Sequence, residues 1–366
     1  VPAQKLLGTT VTERTDMIRE AVGDPDLEVM CIGPGGENLV AYSTVMYEGR
    51  AAGRCGGGAV LGSKNLLAIA VSGSKQVETA DRDAFRAAVR EAMRVLRENP
   101  NTAGFGEHGT TGDLGGCDDG GDWPTKNWQS NSWGKGEALY DYFFENNLVG
   151  GRGCYHGCPV GCARVAKVDG GEYETPEHEG AEYESISCFT AYVLNEDMDA
   201  AVHSPWLCNE YGIDTISTGS AIAFAMECYE KGLLESRDLA GLDLTWGNAS
   251  ALPALVKMIA LRQGVGDLLA DGVKRAAAEL GRGADEFAIH GKGLEVPAHD
   301  PRSGKALAVT YGTANRGACH IHPVEAMTWD SGKMTFGLGR YGVPDPEGVD
   351  RWDEAGKGAV VPKLQD

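Results

Sequence analysis

Three cysteines at a fixed spacing constrain this chain more than any other feature. Cys154, Cys158 and Cys162 are four residues apart in the stretch GRGCYHGCPVGCARVA at 151–166. Glycine and proline surround the cysteines, and both residue types interrupt regular helices and strands. The stretch therefore predicts a loop whose three thiols face one centre.

The spacing of the cysteines favours one type of centre over others. Thiolates bind soft metals, and a loop lets three of them converge without distorting a helix. Structural zinc sites usually show paired C-x2-C knuckles, and radical-enzyme clusters show C-x3-C-x2-C, so C-x3-C-x3-C matches neither pattern. An iron-sulfur cluster is favoured over zinc and over buried thiols without a ligand, and its fourth ligand must come from elsewhere.

Composition excludes several classes of partner. With 366 residues, 42% of them hydrophobic, the chain can form a globular protein of two or three domains. A formal net charge of -20 repels nucleic acid and anionic lipid alike. No apolar run approaches the roughly 18 residues of a membrane span, so no membrane insertion is expected. The ten cysteines do not form an evenly spaced disulfide pattern, which predicts a reducing, cytoplasmic location.

Hydrophobic patterns divide the chain into three units. Short apolar runs at 29–33 and 66–73 predict strands in a glycine-rich first part. A helix is predicted from 79, with Phe85, Val89, Met93 and Leu96 on one face and Pro100 at its end. The first boundary is therefore expected near residue 75.

The middle of the chain is predicted to be irregular at first and then helical. Residues 101–150 lack periodicity and are rich in Gly, Asp, Asn and Trp, so they predict long surface connections. Helical patterns end at Gly232 and Gly264, and a further single helix is predicted over 266–281. From about 285 the pattern is again typical of loops, which predicts a third unit there.

The stretch AAGRCGGGAVLGSK is a candidate anion site. Its small residues let backbone amides approach an anion, and Arg54 adds a planar fork of donors. A tight turn between two strands explains the glycines equally well. The stretch is not a P-loop, because the Lys and Ser/Thr spacing of that motif is absent.

Three other stretches carry candidate polar residues, each with a simpler alternative. EHEGAEYESIS contains Glu177, Glu179, Glu182 and Glu184, which could form a solvated face, although Glu182 and Glu184 flank Tyr183 in an apolar setting. NEYGIDTIST places Asn209 and Asp214 around a glycine bend, where they could catch amino groups or cap local turns. RGACHIHP supplies His320 and His322 beside Cys319, and such a pair is more often structural or metal-bound than catalytic. These stretches are taken from the printed sequence.

Together these stretches resemble one family. The motifs are GPGGENLV, GRCGGGAVLGSKNL, WPTKNW, the cysteine triplet, EYES, NEYGIDTISTG, KGLEVPAHDPR and NRGACH. In this order, from about residue 28 to the last residue, they resemble the aldehyde ferredoxin oxidoreductase family of tungsten (sometimes molybdenum) bis-pterin enzymes.

The resemblance implies a role for individual residues. It implies Glu184 of EYES and His320 of GACH as catalytic residues. It implies a turn that holds pterin phosphates, with a magnesium ion bridging them, and a middle-domain element that grips one pterin, in which Asn209 replaces the usual aspartate. The implied cofactor-binding residues are Arg54, Cys55, Gly56, Gly57, Gly58, Asn209, Gly212 and Asp214.

For the cysteines, the resemblance implies ligation of a 4Fe-4S cluster. Cys154, Cys158 and Cys162 match three of its ligands, although the best-known members space them C-x2-C-x3-C. The family's fourth cysteine lies in a D-S-L-G-x-C-like element, which would come after VVPKLQD. The chain is therefore expected to be a fragment that lacks the start of the N-terminal domain and the C-terminal end.

The fold implied is α+β, with the end of a β-rich cofactor-base domain followed by mostly helical domains. Residues 1–75 are expected to form the end of the N-terminal pterin-binding domain. Residues 76–285 would form a helical middle domain with the cluster loop and the pterin-binding turn, and 286–366 the start of a C-terminal helical domain. Residues 50–60, 184, 212–214 and 320 are expected to line one cavity where these units meet.

The function implied is oxidation of a small aldehyde to a carboxylic acid, with electrons passed through the cluster to ferredoxin or an iron-sulfur subunit. One alternative is reduction of an aromatic acyl thioester with the same cofactor, and another is a non-catalytic electron-transfer or cofactor-binding subunit. A homodimer and an anaerobic cytoplasm are further expectations. Because substrate identity depends on pocket shape, the sequence does not name the aldehyde.

Overall fold

The computed structural model of the chain describes residues 3–155, 157–235, 239, 241–332 and 338–365. Its architecture is mixed α+β, which confirms the predicted class. The helices are α1 Val11–Val22, α2 Pro34–Glu37, α3 Gly57–Ser63, α4 Arg82–Glu98, α5 Pro100–His108, α6 Leu114–Asp119, α7 Gly136–Asn146, α8 Tyr183–Phe189, α9 Met198–Tyr211, α10 Thr215–Glu230, α11 Ala251–Ala260, α12 Val265–Leu269, α13 Val273–Leu280, α14 Lys305–Thr313, α15 Glu325–Asp330 and α16 Lys357–Gln365. The strands are β1 Glu28–Cys31, β2 Val45–Tyr47, β3 Arg50–Ala52, β4 Ala68–Val71, β5 Leu148–Arg152, β6 Ala163–Val168, β7 Thr175–Glu179, β8 His290–Gly291 and β9 Leu294–Glu295.

An antiparallel sheet forms the first part of the chain. Its strand order is β3-β2-β1-β4, and Cys31 of β1 is paired with Met46 of β2. Helix α1 begins with a capping box between Thr10 and Glu13, which satisfies amides that the first turn leaves free. Ile18 of α1 belongs to the same buried cluster as the apolar residues of β1 and β2, so helix and sheet share one core.

The largest hydrophobic core lies among the central helices α8, α9 and α10. Every residue of α10 from 216 to 228 is buried, so this part of the helix has no solvent-exposed face. A helix buried on all sides lies at the centre of a domain rather than at its surface. The N-terminal ends of α8 and α10 carry the polar residues of the candidate site.

A second sheet, of order β5-β6-β7, carries the cysteine triplet in the loop between β5 and β6. The predicted loop is thus confirmed for the described part of 153–162, which does not include residue 156. Helix α5 packs against β5 at the base of this loop.

Two glycines join the N-terminal sheet to the central helices. Gly212 ends α9 with φ +67°, and a Cβ atom built on it would lie 2.6 Å from the Gly33 nitrogen. Next to this contact, the Thr44 amide donates to the Gly212 carbonyl at 2.8 Å and the Asp214 amide donates to the Tyr42 carbonyl at 3.0 Å. Backbone therefore packs directly on backbone between the two parts of the chain.

The prediction that residues 101–150 are irregular surface connections is wrong. This segment contains most of α5, all of α6 and α7, and part of β5, and Trp123 within it is 0% exposed. The Trp123 ring nitrogen donates to the Ser187 hydroxyl of α8 at 2.8 Å. Tertiary packing and side-chain hydrogen bonds order a segment whose glycine and aspartate content hides its periodicity.

The other helix predictions are confirmed in part. The helix predicted from residue 79 is α4, although none of its residues is buried and Phe85 is 55% exposed. The single helix predicted over 266–281 is wrong, because Gly272 at φ +83° separates α12 from α13. The Glu295 carboxylate accepts the Val273 amide at 2.9 Å and so caps the start of α13. Within the described ranges, no helix is both long and apolar enough to cross a membrane.

Candidate active site

Glu184 lies in the first turn of α8, with most of its side chain buried. The amide of Ala298 donates to Oε2 of Glu184 at 2.7 Å. The other oxygen, Oε1, is buried and has no hydrogen-bond partner among the described residues. A buried carboxylate oxygen without a partner is costly unless a proton, a ligand or a reaction step uses it.

Two histidines face this oxygen. Nε2 of His320 lies 3.4 Å from Oε1 of Glu184, and Nε2 of His299 lies 3.9 Å from it. The two imidazole rings are 5.0 Å apart. The family resemblance implied Glu184 and His320, and the structure places them next to each other. It adds His299, which lies in the motif KGLEVPAHDPR but was not singled out as a site residue.

Two further polar residues lie behind His299. Nδ1 of His299 lies 2.8 Å from the carboxylate of Asp122. The thiol of Cys117, from α6, belongs to the same cluster, with the three polar atoms within 4.8 Å of one another. Neither residue was a candidate from the sequence. Asp122 directly precedes the motif WPTKNW, and this position is the one signal that could have pointed to it.

The surroundings shift the pKa values of the two histidines in opposite directions. Burial opposes a charge on His299, but hydrogen bonding to Asp122 and Cys117 outweighs it, so the pKa of His299 lies well above its ordinary value. Burial, followed by the positive charges of His299 and Arg54, lowers the pKa of His320 well below its ordinary value. The pKa of Glu184 is raised by burial, and the charge of His299 partly offsets that rise.

Arg54 connects the Glu184 cluster to the pterin-binding candidates. Its Nε lies 3.2 Å from the Asp214 carboxylate. Its terminal nitrogens donate to the carbonyl oxygens of Glu295, at 2.7 Å, and Ala318, at 3.4 Å. The side chain is only 10% exposed, so Arg54 is a buried tie between three segments.

The turn after Arg54 is closely packed. Cys55 and Gly56 have φ values of +78° and +75°, and a Cβ atom on Gly56 would lie 2.3 Å from the Ala41 carbonyl oxygen. The Gly58 amide donates to the Ser43 carbonyl at 3.0 Å. These glycines are therefore required by contact with the chain at 41–44, and Gly57 begins α3.

The predicted pterin element lines a polar cavity of about 230 Å³. Asn209 and Asp214 are on its wall with Arg50 of β3, and Glu184 and His320 do not belong to the described lining. Asp214 also caps α10 by accepting the Ser217 amide at 2.9 Å. The expectation that 50–60, 184, 212–214 and 320 line one cavity is therefore wrong, because the described lining includes Arg50, Ala51, Gly53, Ile213 and Asp214 but neither Glu184 nor His320.

A larger cavity of about 620 Å³ lies elsewhere, between α1, β7 and α9. Carboxylates dominate its polar lining, and Arg19 and Arg152 are the cations among its described residues. Asn209 also reaches this cavity, but the Glu184 cluster does not line it. Cavity size therefore does not identify the candidate active site.

The cysteine loop is fixed from below by a buried arginine. Arg164 is 0% exposed and donates to the carbonyl oxygens of Gly106 and Glu107, at 2.9 and 2.6 Å, and of Gly161 and Cys162, at 2.7 and 3.2 Å. Every one of these partners is a backbone carbonyl. The guanidinium thus ties the end of α5 to the end of the cysteine loop.

The thiols of the loop have separate environments. Cys154 is exposed, whereas Cys158 and Cys162 are half-buried, and all three are free. The amides of Val160 and Gly161 lower the pKa of the Cys158 thiol, which favours its thiolate form. The three sulfurs do not all lie within 4.8 Å of one another. Three free thiols on one loop are a donor set that suits a soft metal centre.

Comparisons with known proteins agree over nearly the whole chain. Residues 1–73 match the family description "Aldehyde ferredoxin oxidoreductase, N-terminal domain", and 87–366 match "Aldehyde ferredoxin oxidoreductase, domains 2 & 3". The tungsten-containing aldehyde ferredoxin oxidoreductase of Pyrococcus furiosus is 39% identical over 330 residues, which cover 87% of this chain and 52% of the relative. The corresponding protein of Thermococcus kodakarensis is 40% identical with the same coverage.

Two more distant similarities are to other oxidoreductases, one in sequence and one in fold. The aliphatic sulfonate oxidoreductase, WOR-like subunit, of Pyrococcus furiosus is 33% identical, covering 74% of this chain and 44% of the relative. A solved structure of the active-site complex BamBC of benzoyl coenzyme A reductase with 1,5-dienoyl-CoA shares the fold, with a TM-score of 0.74 and 24% identity. It covers 86% of this chain and 49% of the solved chain.

These similarities establish the family and one fact about length. The chain spans about half the length of the curated relatives it matches, 52% in the first two cases. Two family descriptions match in order along it. The chain belongs to the aldehyde ferredoxin oxidoreductase family.

Proposed function

We propose that the chain is part of a tungsten (or molybdenum) pterin oxidoreductase that oxidises a small aldehyde to a carboxylic acid. Electrons pass through a 4Fe-4S cluster to ferredoxin or an iron-sulfur subunit, and the protein forms a homodimer. The observation that carries the proposal is the buried Oε1 atom of Glu184, which lies between two imidazoles and has no hydrogen-bond partner in the part of the chain that the structure describes. The family of the chain and the tungsten named in its relatives support it.

The residues of the cavity at Asn209 fit a pterin. Amide and carboxylate oxygens from Asn209 and Asp214 are acceptors for the amino groups of such a ring, and Arg50 supplies a cation at the same wall. The turn from Arg54 to Gly58, with Gly212 beside it, would hold the phosphates together with magnesium. Arg54 fits this role less directly, because its donors already bond to protein groups.

The cysteine loop fits an iron-sulfur cluster. Cys154, Cys158 and Cys162 supply three thiols, and the amides near Cys158 favour a thiolate. Thiolates are the usual ligands of such clusters, and amides directed at sulfur tune their potentials. We assign these cysteines as three cluster ligands.

When bound, the metal pterin would supply a two-electron acceptor and a Lewis acid for the substrate carbonyl. The reaction converts an aldehyde and water into a carboxylic acid, two electrons and two protons. Glu184 takes a proton from the attacking water, and its raised pKa makes it a stronger base than an exposed carboxylate. His320, 3.4 Å away, holds the substrate oxygen by a hydrogen bond.

The test uses the full-length protein, purified without oxygen and assayed with acetaldehyde, glyceraldehyde and benzaldehyde and a viologen acceptor. We expect viologen reduction with at least one aldehyde and about one tungsten or molybdenum per active site. Cys158→Ala should lower the iron content and alter the paramagnetic resonance signal, whereas Cys228→Ala, in buried α10, should leave both unchanged. Full iron content in Cys158→Ala would overturn the assignment of the loop.

The same measurements separate the alternatives. Iron without tungsten or molybdenum, and no reaction with any aldehyde, would indicate a non-catalytic electron-transfer or cofactor-binding subunit. If the enzyme reduces a benzoyl thioester at low potential and oxidises no aldehyde, reduction of an aromatic acyl thioester is its reaction instead of aldehyde oxidation.

A further inference from the structure

His299 is held in one orientation by four contacts. Its ring stacks on Tyr183 with centroids 4.8 Å apart and an angle of 23° between the planes. Its carbonyl oxygen accepts the Tyr311 hydroxyl at 2.8 Å, and its Nδ1 is bonded to Asp122. The fourth contact is with His320, whose ring is 5.0 Å away. This orientation directs Nε2 at Oε1 of Glu184.

Asp122 is itself fixed, so it can fix the imidazole. One of its oxygens accepts the Asp300 amide at 2.7 Å and the Ser303 hydroxyl at 2.9 Å. Its other oxygen faces Nδ1 of His299 at 2.8 Å. A carboxylate bound in this way keeps the proton of the histidine on Nδ1 and stabilises a second proton on Nε2.

The two histidines differ in their charged neighbours. His299 lies between two carboxylates, those of Asp122 and Glu184. His320 has Glu184 as its acidic neighbour, but the guanidinium groups of Arg54 and Arg316 oppose a positive charge on it. A cation is therefore more stable on His299 than on His320.

We infer that His299, held by Asp122, carries a positive charge that keeps Glu184 ionised. His299 is a positioning residue, because it acts on the reaction through Glu184. The inference rests on the proposed function insofar as Glu184 is the base. In the resting site the protonated Nε2 of His299 faces Oε1 of Glu184 across 3.9 Å, and when Glu184 takes a proton from water the imidazolium remains, balanced by Asp122.

The charge on His299 has a consequence for pH dependence. Burial raises the pKa of Glu184 and the charge of His299 lowers it, so removal of that charge must raise the pKa of Glu184 further. The ionised base would then appear only at higher pH. The titratable groups that face His299 are Cys117, Asp122, Tyr183, Glu184, Tyr311 and His320.

Substitution of Asp122 shows whether Asp122 acts on Glu184 through His299 or directly through its own negative charge. In Asp122→Asn, the remaining carbonyl oxygen can still accept from Asp300 and Ser303, while the new amide donates to Nδ1 of His299. His299 then becomes neutral, which raises the pKa of Glu184. If Asp122 acted on Glu184 only as a nearby anion, its removal would lower that pKa.

The experiment compares full-length holoenzyme carrying His299→Gln, Asp122→Asn or both with wild type. The first measurement is kcat against pH with an aldehyde. The second is an infrared titration of the protonated-carboxyl band of Glu184, assigned by its loss in Glu184→Gln. His203→Gln is the matched control, because His203 is half-buried in α9 and bonds to the Tyr173 carbonyl away from the site.

We expect the acid limb of the profile and the infrared band to shift upward by about one pH unit in both single variants, a roughly tenfold loss of ionised base at low pH. The double variant should shift no further than either single variant, since both remove the same charge. Unchanged titration in both variants, or a downward shift in Asp122→Asn, would overturn the inference. If the wild type oxidises no aldehyde, the proposed function fails, and the infrared titration still tests His299.

Discussion

At the scale of single residues, the two glutamates of the EYES stretch have different roles. Glu182 precedes α8, where it accepts the Thr110 hydroxyl at 2.9 Å and faces Arg50 at 3.3 Å. Glu184 lies in the helix and points into the histidine cluster. Because Glu182 lies in extended backbone before the helix and Glu184 lies in its first turn, the two carboxylates point in different directions, and Glu184 is the one that reaches the histidine cluster.

Substitution of Glu184 by glutamine tests its role as the base. Glutamine keeps the size of the side chain and the acceptor for the Ala298 amide, but it cannot take a proton. We expect kcat for aldehyde oxidation to fall by about 10²- to 10⁴-fold with little change in KM or metal content. Glu177→Gln, an exposed position on β7, is the control and should retain wild-type kcat. A Glu184→Gln enzyme with near-normal kcat would remove this residue from the mechanism.

The sequence could predict some site residues and not others. Glu184 and His320 lie in motifs whose pattern carries the family, so they could be named before the structure. The contact of His299 with Asp122 joins positions 177 residues apart in the chain. No local pattern predicts such a pair, because its formation depends on how the loop after β9 packs against the segment before WPTKNW.

At the scale of elements, periodicity decides which helices can be predicted. Helix α4 keeps a strong polar and apolar alternation at helical spacing, and its predicted position is confirmed. Helices α6 and α7 were missed because α6 has only six residues and the start of α7 is fixed by the Asp118 carboxylate, which accepts the Gly136 amide. The break between α12 and α13 depends on Glu295, 22 residues away from the amide it caps.

Asp118 at the end of α6 shows how a side chain organises such a segment. Its carboxylate accepts the Ser132 hydroxyl at 2.7 Å, the Trp133 amide at 2.7 Å, the Gly134 amide at 3.0 Å and the Gly136 amide at 2.8 Å. Burial opposes its charge, but these hydrogen bonds outweigh burial and hold the pKa of Asp118 below its ordinary value. One carboxylate thus shapes the turn before α7.

Asp118→Asn should therefore destabilise the fold in a pH-dependent way. Asparagine offers one acceptor oxygen, and its amide group would face a backbone N–H, which costs about 1–3 kcal/mol of unfolding free energy. Because the folded-state pKa is lowered, the stabilisation by Asp118 is complete above the unfolded value of about 3.9 and is lost as the pH falls through the folded pKa. Urea unfolding at neutral pH and below pH 4 measures both effects.

Asp119→Asn is the matched control for this prediction. Asp119 is the next residue, is exposed and makes the same change of charge. Surface substitutions of this kind usually change stability by less than about 0.5 kcal/mol. Equal stability of the two variants at neutral pH, or a difference that does not shrink in acid, would contradict the role assigned to Asp118.

At the scale of the whole molecule, the site depends on the contact between the N-terminal sheet and the central helices. Arg54 and the turn at 55–58 come from the first part of the chain, whereas Asp214 and Glu184 come from the second. Backbone hydrogen bonds at 42–44 and 212–214 join the two parts beside the cavity. Glycine at the point of closest approach sets how near the two halves of the site lie.

Gly212→Ala tests this contact, and Gly232→Ala measures the cost of a left-handed backbone without the close contact. Gly212 has φ +67° and its Cβ would lie 2.6 Å from the Gly33 nitrogen, whereas Gly232 has φ +71° and no atom of the described residues would lie within 4 Å of its Cβ. Both alanines carry the strain of a left-handed backbone, but only Gly212→Ala must also move one part of the chain away from the other. We expect Gly232→Ala to cost about 1 kcal/mol of unfolding free energy and Gly212→Ala about 1–3 kcal/mol more, with a larger fall in the melting temperature. Because Asp214 follows the contact by two residues, Gly212→Ala should also lower the pterin content of the holoenzyme. If the two variants lose equal amounts of unfolding free energy, backbone strain alone explains the glycine at 212.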